Sequence, residues 1–97
     1  MDFITRIGTV KKERLTMDKY RVFRIFHIFD YKEKLRLRKY GIKIKRIGMI
    51  GSSTYNMYVP VPRIQIIEQK ELFSIYILVF RGRQVGIIDD LHTLVLN

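Results

Sequence analysis

The tripeptide Arg-Ile-Gly occurs twice, at Arg6-Ile7-Gly8 and Arg46-Ile47-Gly48, and the residues that follow, Thr9-Val10 and Met49-Ile50, match as a pair. An echo forty residues apart is a strong constraint in a chain of 97 residues. One such unit cannot bury its own apolar face, whereas two units facing each other bury both. Further along the offset becomes forty-two: Arg21-Val22 aligns with Arg63-Ile64, Ile25 with Ile67, and Leu35 and Leu37 with Ile77 and Val79. The two extra residues enter where "GSSTYN" replaces "KKER", and a turn is where insertion is tolerated.

Each unit can be given the same order of elements. In the first, residues 3–10 are a strand candidate, "KKER" a turn and residues 14–17 a second short strand. Asp18 is a helix N-cap residue, its carboxylate able to accept from free backbone N–H groups of a helix starting near Lys19. Val22, Ile25, Phe26 and Phe29 then form one apolar stripe at helical spacing, although the same run half-alternates and a strand stays open as the alternative. After Asp30, "KEKLRLRKYGIKIK" alternates charge with Leu35, Leu37, Ile42 and Ile44, which predicts a hairpin bent at Tyr40-Gly41 with one strongly basic face. The apolar phase slips near Lys45-Arg46, as a bulge would make it.

In the second unit residues 49–52 and 55–59 are the strands, and a helix is expected over 62–70 behind Pro60 or Pro62. "SIYILVF" is apolar on both faces and predicts a buried strand, returned by the "RGRQ" bend through residues 85–88. The closing "DDLHTLVLN" has no counterpart; a helical turn capped by Asp90 and an added edge strand both fit it. The expected fold is mostly β with short helices, β-β-α-β-β used twice. It forms one swapped-hairpin, barrel-like domain of two tandem units, residues 3–44 and 45–88, with a tail over 89–97.

That order resembles the AbrB/SpoVT/MazE family of swapped-hairpin DNA-binding domains, in which two such units interleave into one barrel. "KKERLTMDKYR" is similar to the family's Gly-Arg-apolar-Thr-apolar-Pro-x-x-x-Arg segment, with Arg14 at the turn arginine and Asp18 in place of the proline. "GSSTYNMYVPVPR" is similar to a Gly-Ser-x-Tyr-apolar-Leu-Pro variant. Arg21 and Arg63 fall three residues after Asp18 and Pro60 rather than four, and the Gly-Asp before the family's third strand is absent from both units. The resemblance covers residues 3–88 and implies a transcriptional regulator that docks basic turns on duplex DNA.

Charge points to the same class of partner. Nineteen Lys and Arg against nine Asp and Glu leave a net charge of +10, which makes a polyanion the first partner to consider. Residues 1–44 carry 13 of the basic and 5 of the acidic side chains, so a basic face is expected mainly from the first half. The candidate DNA contacts are Arg6, Lys11, Lys12, Arg14, Arg21, Arg24, Lys45, Arg46 and Arg63, placed to neutralise phosphates or to fork onto guanine edges. Lys32, Lys34, Arg36, Arg38, Lys39 and Lys43 form a second basic surface, which either follows the phosphate backbone or keeps strand edges apart. Tyr20, Tyr31, Tyr40, Tyr55, Tyr58 and Tyr76 offer either core packing or stacking platforms for unpaired bases.

Other chemistry finds little support. The absence of cysteine excludes disulfides, thiolate zinc sites and cysteine nucleophiles. His27 and His92 each have one aspartate three residues away, too few ligands for a metal. Asp89-Asp90 reads as a helix start, Ser52, Ser53 and Thr54 have no base partner, and "GMIGSS" lacks the Lys-Ser/Thr ending of a phosphate loop. No enzyme, cofactor or small-molecule substrate is therefore expected. Charges interrupt every window long enough to span a bilayer, so a cytoplasmic protein outside the membrane is expected. A homodimer is compatible with pairing of half-sites, and the Ile, Lys and Arg bias over Asn and Gln resembles heat-adapted usage. A basic RNA- or ribosome-associated structural protein is the alternative to the regulator.

Overall fold

The computed structural model describes residues 19–49 and 51–97. They form β1 (Lys19–Phe26), α1 (Tyr31–Tyr40), β2 (Lys43–Arg46), β3 (Thr54–Val61), β4 (Ile64–Lys70), β5 (Ser74–Phe80), β6 (Arg83–Ile88) and β7 (Leu94–Leu96). The fold is mostly β, in two antiparallel sheets ordered β1-β3-β2 and β4-β5-β6-β7. Both inner faces feed one apolar cluster. Phe23, Ile25, Tyr55, Met57 and Val59 come from the first sheet, Ile64, Leu78, Val85, Ile88 and Leu94 from the second, and Phe29, Leu37 and Ile42 from the segments around α1. Phe23 meets Tyr76 across the gap at 5.1 Å between ring centroids. Each fully buried side chain among these contributes about 1.5–3 kcal/mol relative to exposure.

Residues 19–26 are a strand where a helix was expected. Tyr20, Val22, Phe23, Ile25 and Phe26 are aromatic or β-branched, types that lose rotamer freedom in a helix and suit a pleated surface. β1 pairs with β3 over its whole length, from Lys19 opposite Val61 to Phe26 opposite Thr54. The helical stripe arose because both phases of the strand carry apolar residues. Residues 62–70 are corrected likewise: Ile64, Ile66 and Ile67 sit in β4, paired with β5 from Ile64 opposite Phe80 to Lys70 opposite Ser74.

The expected basic hairpin is instead the helix α1, and local chemistry explains why. The Asp30 carboxylate accepts from the Glu33 backbone N–H at 2.8 Å, and the Glu33 carboxylate accepts from the Asp30 N–H at 3.2 Å, a complete capping box. Between Tyr31 and Tyr40 the run holds only Lys, Glu, Leu and Arg, all good helix formers, with no β-branched residue. Gly41 ends it at φ 80°, where a Cβ is strained. Its N–H reaches the Arg38 carbonyl, and that of Ile42 the Leu37 carbonyl at 2.9 Å, a Schellman closure.

The strand expected over 49–52 is not formed at Met49, Gly51 or Ser52, which lie outside β2 and β3; Gly48 and Gly51 take φ of 90° and 91°. "SIYILVF" is a strand as expected, but only Leu78 is fully buried; Ile75, Ile77 and Val79 lie half-buried on the outer face. The closing segment resolves into the edge strand β7, preceded by a turn in which the Asp89 carboxylate accepts from the Leu91 and Thr93 N–H groups. The β-β-α-β-β order therefore does not recur in the described residues: Leu35 and Leu37 lie in a helix, while their counterparts Ile77 and Val79 lie in β5. The strand and turn expected before Asp18, and Asp18 as a cap, fall outside the described residues.

The sheets are joined at one corner. Thr93 bridges to Phe26 in parallel, with the Phe26 N–H donating to the His92 carbonyl at 2.8 Å. β3 runs into β4 through a tight turn containing a cis Val61–Pro62 peptide. No helix among the described residues is long and apolar enough to cross a membrane.

Candidate nucleic-acid interface

Alternation sorts the side chains of the first sheet onto two faces. The core phase holds Phe23, Ile25, Ile44, Tyr55, Met57 and Val59. The opposite phase brings Tyr20, Val22, Arg24 and Phe26 of β1 together with Thr54, Asn56 and Tyr58 of β3 and Lys43 and Lys45 of β2. Asn56 is the register partner of both Arg24 and Lys45, so a guanidinium and an ammonium flank one amide in a row across three strands. The next row is Val22, Tyr58 and Lys43. Among the described residues no carboxylate occupies a strand register position on this face, and Asp89 and Asp90 border it at Arg24.

Aromatic surface is interleaved with this charge. Tyr20 is 43%, Val22 50% and Phe26 49% exposed, which leaves apolar and aromatic surface on this face. The Tyr20 and Tyr58 rings meet edge to face at 6.4 Å, and the Lys43 ammonium stands 5.3 Å from the centroid of Tyr20. Tyr20, Lys43, Ile44, Lys45 and Tyr58 line an open hollow of about 370 Å³.

No family model, curated protein or solved structure matches the chain. The geometry of its own residues therefore carries the functional argument.

Of the nine expected contacts, Arg6, Lys11, Lys12 and Arg14 lie outside the described residues. Arg24 and Lys45 are brought together on the outer face. Arg21 is in the core phase of β1, its guanidinium 5.2 Å from the Phe23 ring and 5.0 Å from the Tyr76 ring. Arg46 is also in the core phase and donates to the Tyr55 hydroxyl at 3.4 Å. Arg63 is on the β3–β4 turn with its guanidinium beside Gly41. All three side chains are exposed.

The second basic group is also rearranged. Only Lys43 is on a strand; Lys32, Arg36 and Lys39 run along one edge of α1 and Lys34 and Arg38 along another, which splits the expected single face in two. The Arg36 guanidinium is tied to the Asn97 carbonyl. A different cationic cluster was missed: Lys39, Arg81 and Arg83 surround a hollow of about 300 Å³ floored by Tyr40 and Phe80. A third hollow, of about 400 Å³, sets Asp89 and Asp90 against Arg21 and Arg24 and so carries both signs.

The His27 Nε2–H donates to the Glu33 carboxylate at 3.0 Å, with both side chains part-buried, and thereby braces the helix start. Among the described residues no group of three or more His, Asp or Glu could hold a metal ion.

Sequence reasoning missed Tyr20, Tyr58 and Asn56 as neighbours of Arg24 and Lys45. The signal was present in "KYRVFRIF", whose odd and even positions each make a coherent face once the segment is read as a strand.

Proposed function

We propose that this protein binds nucleic acid through the outer face of its three-stranded sheet, without catalysis. One observation carries the reading: Arg24, Lys43 and Lys45 share one sheet face with exposed aromatic side chains. Cations on such a face neutralise phosphates and release counterions, which supplies affinity irrespective of sequence. Aromatic rings interleaved with them can contact bases, which simple charge neutralisation does not need.

This favours the RNA-associated role over the duplex-DNA regulator. The regulator would dock the turn at residues 11–14, outside the described residues, and it draws on the AbrB-like swapped-hairpin arrangement. Binding by the sheet face needs no twofold arrangement. It also accommodates the strong charge bias of the first half, from which Arg24 and Lys43 come.

Fluorescence anisotropy on duplex DNA, structured RNA and single strands over a salt series tests the proposal. Arg24→Gln with Lys45→Gln should weaken binding and flatten the salt dependence. Lys32→Gln with Lys34→Gln, which removes the same charge from the helix, should weaken it much less. Equal losses from the two pairs would mean that net charge alone drives binding and that the sheet face is no site.

A further inference from the structure

Resting on the nucleic-acid reading of this face, we infer that its ligand is single-stranded RNA, with an unpaired base seated on Tyr20 beside Tyr58. A duplex hides its base faces in the stack and offers phosphates and groove edges, for which exposed tyrosine rings on a sheet are of little use. Single strands present bases that stack on aromatic side chains while the backbone follows nearby cations.

The geometry around Tyr20 suits this exchange. The Lys43 ammonium stands over the ring at 5.3 Å, so the site already holds a cation where a base would lie. An arriving base takes that place, and the flexible four-carbon stem lets the ammonium swing to the adjoining phosphate. Tyr58 meets Tyr20 at an interplanar angle of 83° and so walls the platform from the side rather than covering it. The open hollow of about 370 Å³ lined by Tyr20, Tyr58, Lys43 and Lys45 falls in the ~300–1,000 Å³ range of small-ligand pockets, room enough for one ring system.

Asn56 directs the choice of RNA over DNA. It lies between Arg24 and Lys45, one strand from each, and its amide offers both a donor and an acceptor. A ribose 2′-OH is both as well, and it is the group that distinguishes the two nucleic acids. The two cations bracket the sugar with phosphate contacts on either side.

The test uses the full chain and three fluorescein-labelled probes: U12, dU12 and the A12·U12 duplex, each titrated over a salt series. U12 should bind on the order of tenfold more tightly than the duplex and more tightly than dU12. Tyr20→Leu should weaken U12 on the order of tenfold, as loss of one stacked base does, with the salt slope unchanged. Tyr20→Phe, which keeps the ring, should stay near wild type. Lys43→Gln should lower the slope by about 0.7, one phosphate on a single strand. Thermal unfolding of each variant confirms that the change is not one of folding.

Equal affinity for duplex and U12, a folded Tyr20→Leu variant that binds normally, or a Tyr20→Phe variant as weak as Tyr20→Leu would overturn base stacking. Equal affinity for dU12 and U12 would overturn the assignment to RNA. Should all three probes bind alike with a common salt slope, the phosphate-binding face survives and only this inference fails. Failure of every probe to bind at low salt would remove both.

Discussion

Replacing Asp30 with alanine probes an element whose type the surrounding pattern hides. The Asp30 carboxylate satisfies the Glu33 N–H at 2.8 Å, and its loss leaves that donor to water while the reciprocal bond from the Asp30 N–H to Glu33 remains. Loss of an N-cap carboxylate costs about 1 kcal/mol. Unfolding entropy is about 2.1 cal/mol/K per residue near the midpoint, so a chain of 97 residues has about 0.2 kcal/mol/K in all. The midpoint should fall by about 5 °C. Thermal unfolding followed by far-UV circular dichroism measures this, with Asp30→Asn as the control, since asparagine caps as well as aspartate. An Asp30→Ala variant that melts with wild type would refute the capping argument. So would an Asp30→Asn variant as unstable as the alanine, because the effect would then follow charge and not the cap.

Gly41→Ala should lower stability by about 1–2 kcal/mol, the cost of placing a Cβ in the left-handed region, read as a lower urea midpoint at unchanged m-value. The new methyl would fall on the Arg63 guanidinium, which is flexible enough to move, so backbone strain sets the size of the effect. Met57→Ala should cost about 2–5 kcal/mol in the same assay, because Met57 is wholly buried between Phe23 and Ile44. Combined Arg24→Gln, Lys43→Gln and Lys45→Gln should lower the salt slope for a single strand by about 2, measured by anisotropy from low to moderate salt.

The sequence was most legible where one phase of a strand is apolar and the turns are marked. β3 and β6 lie where "TYNMYV" and the "RGRQ" bend place them, and β5 differs only in how far its outer side chains are covered. It misled where both phases are apolar, as in "KYRVFRIF", because period two and period 3.6 then fit equally well. It misled again in "YKEKLRLRKY", where Leu35 and Leu37 alternate with cations like a half-buried strand. The decisive signals there were Asp30 followed by Glu33, and Gly41 at the far end, and both are capping signals rather than periodicities. The candidate face could not be seen from spacing alone. Arg24, Asn56 and Lys45 come from three separated segments, and only their register makes them neighbours.

The Phe26–Thr93 bridge bears on how this molecule comes apart. With one apolar cluster filling the space between the sheets, β3 leading directly into β4 and the far corner closed by the Phe26 N–H on the His92 carbonyl, the two sheets should open together. In native-state hydrogen exchange the Phe26 amide should therefore share the protection of Leu78 deep in the second sheet, rather than fray as an edge strand would.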